Sequence, residues 1–239
     1  MNDKSMHWVH RLAALELVVG LTAGFAGAGV AQTVAGKAYG TYVSTPVANS
    51  GQSPLAVLPG VSGTDGAEAD AAAATQSVAG ALSSNFLKSI TTGQLGTTES
   101  GAQSTATAAS VNILNGLITA DEVVANVISS VAGGGATSNA DGSTFTNLAI
   151  AGVGSLSGDQ PVAPNTNVSL PGVGYVVLNE QIPTGDGVTS TGLTVNMIHV
   201  YLQSLVGGIL NPLTGQIVGG TLQTTGEIIV GSATSTVTM

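Results

Sequence analysis

The chain has 239 residues, of which 43% are hydrophobic, 7% charged and 3% aromatic, with 34 glycines, no cysteine and a formal net charge of −9. The glycines follow no three-residue period, which excludes a collagen-like fibre, and the missing cysteine excludes disulfide scaffolds and cysteine-ligated zinc or iron–sulfur centres. Only 4 Lys and Arg are present, too few for the clustered cations that phosphate-backbone binding requires, so nucleic acid is excluded as a partner.

Residues 1–31 read as an export signal. Lys4 and Arg11, with His7 and His10, form a basic start, and an apolar stretch runs from Leu12 to Val30, interrupted by Glu16. Small residues at Gly29 and Ala31 fit cleavage between Ala31 and Gln32. The alternative is a retained membrane anchor; its Gly- and Ala-rich second half makes a poor helix. Lys4 and Arg11 cancel Asp3 and Glu16, so cleavage leaves the net charge at −9, with Lys37 and Lys88 as the remaining bases. Residues 32–239 then form a single all-β extracellular domain.

Alternation of Thr, Val, Ser and Ile predicts strands along this domain. Residues 38–47 alternate up to Pro46, and 54–62 form a short strand ending in a Pro-Gly turn. The Ala-rich run 68–78 is compatible with helix or strand, as is 82–90. Residues 103–114 and 117–131 read as two long strands joined at Asn115-Gly116, the strongest short hairpin signal. After a loop opened by Gly133–Gly135, strands are expected at 143–151, 166–170, 174–182, 193–202 and 226–237. Between the last two, the apolar, Gly-rich stretch 205–222 suggests a hairpin with Asn211-Pro212 at its tip. These runs predict an antiparallel two-sheet β-sandwich preceded by an N-terminal signal helix. A β-solenoid or roll is the alternative, disfavoured because no fixed repeat is visible.

Four strings in the second half carry a family resemblance: Gly116–Ala120 (GLITA), Leu170–Gln181 (LPGVGYVVLNEQ), Leu193–Val200 (LTVNMIHV) and Gly226–Ala233 (GEIIVGSA). In order and wording they resemble the choice-of-anchor P family of exported bacterial proteins. The resemblance spans roughly residues 36–235 and is strongest after residue 110. It implies a secreted or surface-displayed protein, and no biochemical activity follows from it. Members end in varied sorting tails. Here the stretch from Gly231 to Met239 has no LPxTG-type motif or basic tail, so release or attachment through a partner is expected.

Catalytic groups are sparse. His199 is the one histidine after the signal segment, and no Gly-x-Ser-x-Gly elbow is present to partner it, so a structural, hydrogen-bonded His is expected. By strand parity His199 shares a face with Leu193, Val195 and Met197, with Asn196, Ile198 and Val200 on the other. Asp65, Glu68 and Asp70 cluster, and Asp121 and Glu122 are adjacent, but neither group matches an EF-hand loop, and both read as solvated surface. Glycoside hydrolysis also needs sugar-stacking aromatics, and their scarcity here counts against sugar binding as well as sugar hydrolysis. Gly152-Val153-Gly154 and Pro171–Gly174 read as turns rather than as nucleotide loops. Asn179-Glu180-Gln181 is a polar interruption, expected to be a hydrogen-bonded strand exit. Asn167-Val168-Ser169 matches a glycosylation triplet, and a Lys–Asn crosslink would have only Lys37 and Lys88 to draw on.

The expectation is therefore an exported or cell-surface, non-enzymatic β-domain with a structural or interaction role, no catalytic, cofactor or metal residues, and an unidentified extracellular or surface partner. A calcium- or glycan-binding adhesion module is the second reading, and a secreted hydrolase the third. Membrane contact is expected only through residues 1–31 before cleavage.

Overall fold

The computed structural model describes residues 32–61, 67–210 and 217–239; the expected signal segment 1–31, its helix and Asp65 lie outside them. Strands take up 76% of the described residues, and no helix occurs among them. In chain order they are β1 (Thr33–Ser44), β2 (Asn49–Val61), β3 (Ala67–Val78), β4 (Leu82–Leu95), β5 (Glu99–Ile113) and β6 (Ile118–Ala132). Short elements follow: β7 (Gly135–Asn139), β8 (Thr144–Thr146), β9 (Ala149–Ile150), β10 (Gly154–Ser155), β11 (Asp159–Gln160) and β12 (Thr166–Leu170). Then come β13 (Gly174–Thr184), β14 (Ser190–Val206), β15 (Ile209–Leu210), β16 (Ile217–Val218) and β17 (Thr221–Thr238).

A six-stranded sheet has the order β12-β13-β14-β17-β1-β2, and a second has β10-β9-β6-β5-β4-β3 with β7, β8 and β11 alongside. All pairings are antiparallel and neither sheet closes, which is not the parallel stacking of a β-solenoid. The Ala-rich run is strand, because a full ladder from Ala67↔Gly93 to Val78↔Leu82 outweighs the helix propensity of alanine. The Asn115-Gly116 turn is as expected, with Leu114, Asn115 and Gly116 all at positive φ.

Several boundaries differ from expectation: β1 runs from Thr33 to Ser44 rather than over 38–47, and the run expected at 143–151 is split into β8 and β9. β2 does not end at Pro59-Gly60; it runs through to Val61. It is an edge strand, and a register shift between Val34 and Gly36 of β1 absorbs the Pro-Gly pair. β14 and β17 also extend well past 202 and 226, as the two arms of one long hairpin.

The core is drawn from both large sheets. Its main part includes Leu87, Ile113, Val123, Val127, Phe145, Ile198 and Ile228. A smaller apolar group, Val34, Leu95, Ala102, Val131, Ala136 and Val237, lies towards one end. Between the two runs a row of buried hydroxyls. Thr91 Oγ1 lies 2.9 Å from Ser104 Oγ, which donates to the Thr234 carbonyl at 2.6 Å. Ser129 meets Ser235 at 2.6 Å and Ser138 at 2.8 Å, and Ser138 meets Thr191 at 2.7 Å. The sheets come so close here that a Cβ on Gly36 would lie 1.7 Å from Thr91 Oγ1. Every buried side-chain N or O atom among the described residues has a hydrogen-bond partner.

Candidate functional site

The site lies on the outer face of the six-stranded sheet, and an interruption of strand alternation creates it. Across four neighbouring strands the pairing reads Leu178↔Ile198↔Val230↔Thr41 in one row and Glu180↔Asn196↔Ser232↔Tyr39 two residues on. Asn179, Met197, Gly231 and Gly40 fall between these rows. Met197 and Ile198 are consecutive, yet both belong to the core. Cβ atoms on Gly231 and Gly40 would also point inward, at 2.9 Å from Val123 Cγ1 and 2.6 Å from Leu87 Cδ2. Asn179 and Gly231 take positive φ, 49° and 66°, which turns the chain over.

This fold line corrects the parity reading of His199. Leu193 and Val195 face the core on one side of it and Ile198 and Val200 on the other, so His199 shares the outer face with Asn196 instead. Asn179-Glu180-Gln181 is not a strand exit either, since β13 continues to Thr184. Asn179 does the hydrogen bonding expected of that tripeptide, donating to the Val162 carbonyl at 2.7 Å, while Glu180 is freed to enter the site.

Glu180 is the hub. Its Oε2 accepts from Asn196 Nδ2 at 2.7 Å and lies 2.7 Å from His199 Nδ1, and its Oε1 accepts from the Tyr201 hydroxyl at 2.8 Å. The other imidazole nitrogen, Nε2, lies 3.0 Å from Glu227 Oε2. Only a ring carrying both N–H groups donates to both carboxylates at once. Asn196 is itself held by the Ser232 hydroxyl, which donates to its Oδ1 at 2.7 Å. The His199 ring stacks on Tyr201 at 3.9 Å between centroids, and Tyr201 stacks on Tyr175 at 4.7 Å. Register places Tyr42 opposite Ile229 and Tyr39 opposite Ser232 on the same face, with Lys37 Nζ 5.7 Å from the centre of the Tyr39 ring. All 4 tyrosines of the chain thus collect here.

Burial alone would raise the Glu180 carboxyl, but the bonds from His199, Asn196 and Tyr201 outweigh it and hold the group at about 2, below its ordinary 4.5. Burial, followed by the bond to the Glu180 carboxylate and its charge, pushes the Tyr201 hydroxyl above its ordinary value. Burial also raises Tyr39, against its side-chain hydrogen bonds with Ser232 and Gln52. The frame is saturated. The Ser232 hydroxyl is committed to Asn196, and both ring nitrogens of His199 are committed to carboxylates, so these residues form no Ser–His relay. Glu227, with 36% of its side chain exposed against 14% for Glu180, is the more solvent-accessible carboxylate of the two.

The other acidic candidates stay apart. Glu68 and Asp70 are exposed on β3; Asp121 and Glu122 are exposed on β6, with Asp121 accepting from Asn147 Nδ2 at 2.6 Å. Among the described residues no group of three or more His, Asp or Glu is placed to share a metal ion. Sequence reading singled out His199 and Glu180 but missed Tyr175, Asn196, Tyr201 and Glu227. Three of the strings quoted above, Leu170–Gln181, Leu193–Val200 and Gly226–Ala233, supply or border every one of them on the adjacent strands β13, β14 and β17. Compared with family models, curated proteins and solved structures, the chain matches none.

Proposed function

We propose that the chain is an exported, non-enzymatic β-sandwich domain of the choice-of-anchor P type that acts by binding, using the outer face of its six-stranded sheet. The observation that carries this reading is the gathering of Tyr39, Tyr42, Tyr175, Tyr201 and His199 on one sheet face around Glu180 and Glu227. A hydrogen-bonded frame holds these groups rigid, which suits recognition, and the residues at its centre have no uncommitted nucleophile to offer chemistry. On this reading residues 1–31 are removed at Ala31–Gln32 and the domain works outside the cell, secreted or at the surface.

The tyrosines favour a glycan as ligand. Aromatic rings offer apolar surface to the C–H faces of a sugar, and the part-exposed Glu227 carboxylate offers a partner to its hydroxyls. A glycan array with the wild type and with Tyr175→Ala tests this. Binding by the wild type that the variant loses supports the reading; equal signals from both remove the face as the site. Hydrolysis of a polysaccharide or ester library at ordinary enzymatic rates would overturn the non-enzymatic reading. N-terminal sequencing of the exported form checks the cleavage site.

A further inference from the structure

Gln32 stands immediately before β1, half-buried, with its carboxamide bonded to β5. Its partner there is Ser100, which is 1% exposed. The Gly96 N–H donates to Ser100 Oγ at 3.3 Å, and the Ser100 hydroxyl donates its one hydrogen to Gln32 Oε1. Ladder register sets Ser100 between Leu95 of β4 and Val131 of β6, both members of the smaller apolar group. Water competes little for a bond in such a place. A donor held on the carbonyl oxygen there draws electrons from the carbonyl carbon, Cδ, and stands ready for a negative charge on Oε1.

The cut proposed between Ala31 and Gln32 makes the Gln32 nitrogen a free α-amine. That amine and Cδ belong to the same residue, so the attack of one on the other is intramolecular and needs no second molecule to be brought into place. An amine nucleophile, an amide carbon and a buried donor on its oxygen thus come together at the start of β1.

We propose that Gln32 is a modification site: after export its α-amine closes on its own side chain to give a pyroglutamyl lactam, with Ser100 as the catalytic donor to Oε1. The amine nitrogen bonds to Cδ while the carbonyl electron pair moves onto Oε1 beneath the Ser100 O–H. The pair then returns and the Cδ–Nε2 bond breaks. The amine's surplus proton passes to Nε2, which leaves as ammonia, so no oxidant or other co-reactant takes part. The lactam keeps a carbonyl for Ser100, and it replaces an ammonium that apolar surroundings disfavour. A terminus closed in this way offers no α-amine to an aminopeptidase. The proposal rests on the cleavage reading and is independent of the tyrosine face.

The test starts from the full chain, cut by signal peptidase at time zero. The lactam blocks sequencing from the α-amine, so the terminus is read by mass, on the tryptic peptide Gln32–Lys37. This peptide is expected to lose one ammonia with time. The loss should be about tenfold slower in Ser100→Ala, the worth of one such hydrogen bond in the transition state. It should be slowed similarly in wild type cut and then unfolded in guanidinium chloride, a comparison that holds even where the Ser100→Ala chain does not fold. A Gln32 terminus that persists uncyclised in the folded protein overturns the proposal, as does a folded rate equal to or below the unfolded one, or a folded Ser100→Ala chain that cyclises as fast as wild type. A terminus at any residue other than Gln32 overturns the cleavage reading and this proposal with it, and the peptide mass tells that failure from the others.

Discussion

Replacing Glu180 by Gln isolates the charge at the centre of the tyrosine face. Glutamine keeps the size of the side chain; its carbonyl can accept from Asn196 and His199, and its amide can donate to Tyr201, so the hydrogen bonds have replacements and the charge does not. The gap between 4.5 and about 2, at about 1.36 kcal/mol per pH unit, sets a ceiling of about 3 kcal/mol. Solvent at the face screens this to about 1–2 kcal/mol, or roughly 3–7 °C in Tm for a domain of this size. The sign is definite. A carboxyl whose folded value lies below its unfolded value stabilises fully above the unfolded value, and the contribution is lost as pH falls from 4.5 to about 2. Thermal melts of wild type and variant should therefore differ at about pH 5 and converge as pH falls to about 2. Using the difference between the two proteins cancels the titration of the other acids. Equal melting points at neutral pH, or a gap undiminished in acid, would refute the reasoning.

Other outcomes follow from close packing and one loop anchor. Gly36→Ala drives a methyl into the Thr91–Ser104 pair and should cost about 2–5 kcal/mol, from overpacking and a broken buried bond. In a Thr91→Ala background denaturant melts should show it costing at least about 1 kcal/mol less, whereas simple additivity would mean that the two positions do not meet. Leu87→Ala should cost about 2–5 kcal/mol, and Gly40→Ala, whose Cβ would lie 2.6 Å from Leu87 Cδ2, should be tolerated better in that background than alone. Asp186 Oδ1 accepts the backbone N–H groups of Val188, Thr189 and Ser190, and the Thr189 hydroxyl bonds its other oxygen. These bonds, Thr189's first, hold the carboxyl below its ordinary value, so the anchor is complete above pH 3.8 and is lost in stronger acid. Asp186→Ala should speed amide exchange at residues 188–190 at neutral pH; unchanged exchange would show that the loop holds itself.

The sequence made the strands and the local turns legible because both depend on near neighbours. Asn115-Gly116 turns as its chemistry requires, and alternation marks most of β5, β6 and β14. What it hid is non-local. Nothing near Thr33 says that β1 inserts between β17 and β2, a pairing that spans nearly the whole domain. The site was half visible for the same reason. His199 and Glu180 stood out by residue type, but parity put His199 with Val195, because the reversal at Met197 depends on Gly231 and Gly40 of other strands. A strand read alone does not reveal a fold line that four strands share.

The buried hydroxyl row has a consequence for how the molecule comes apart. It divides the interior into two apolar compartments of unequal size, joined by polar bonds that water can replace. The small compartment has one Leu and three Val beside two Ala, so its own cohesion is modest. Opening should then come in two steps, with backbone amides around Val34, Ala102, Val131 and Val237 exchanging through a smaller fluctuation than those around Val127 and Ile198. The end of the domain nearest Thr33 and Thr238 should then open first, while the tyrosine face is built over the larger compartment.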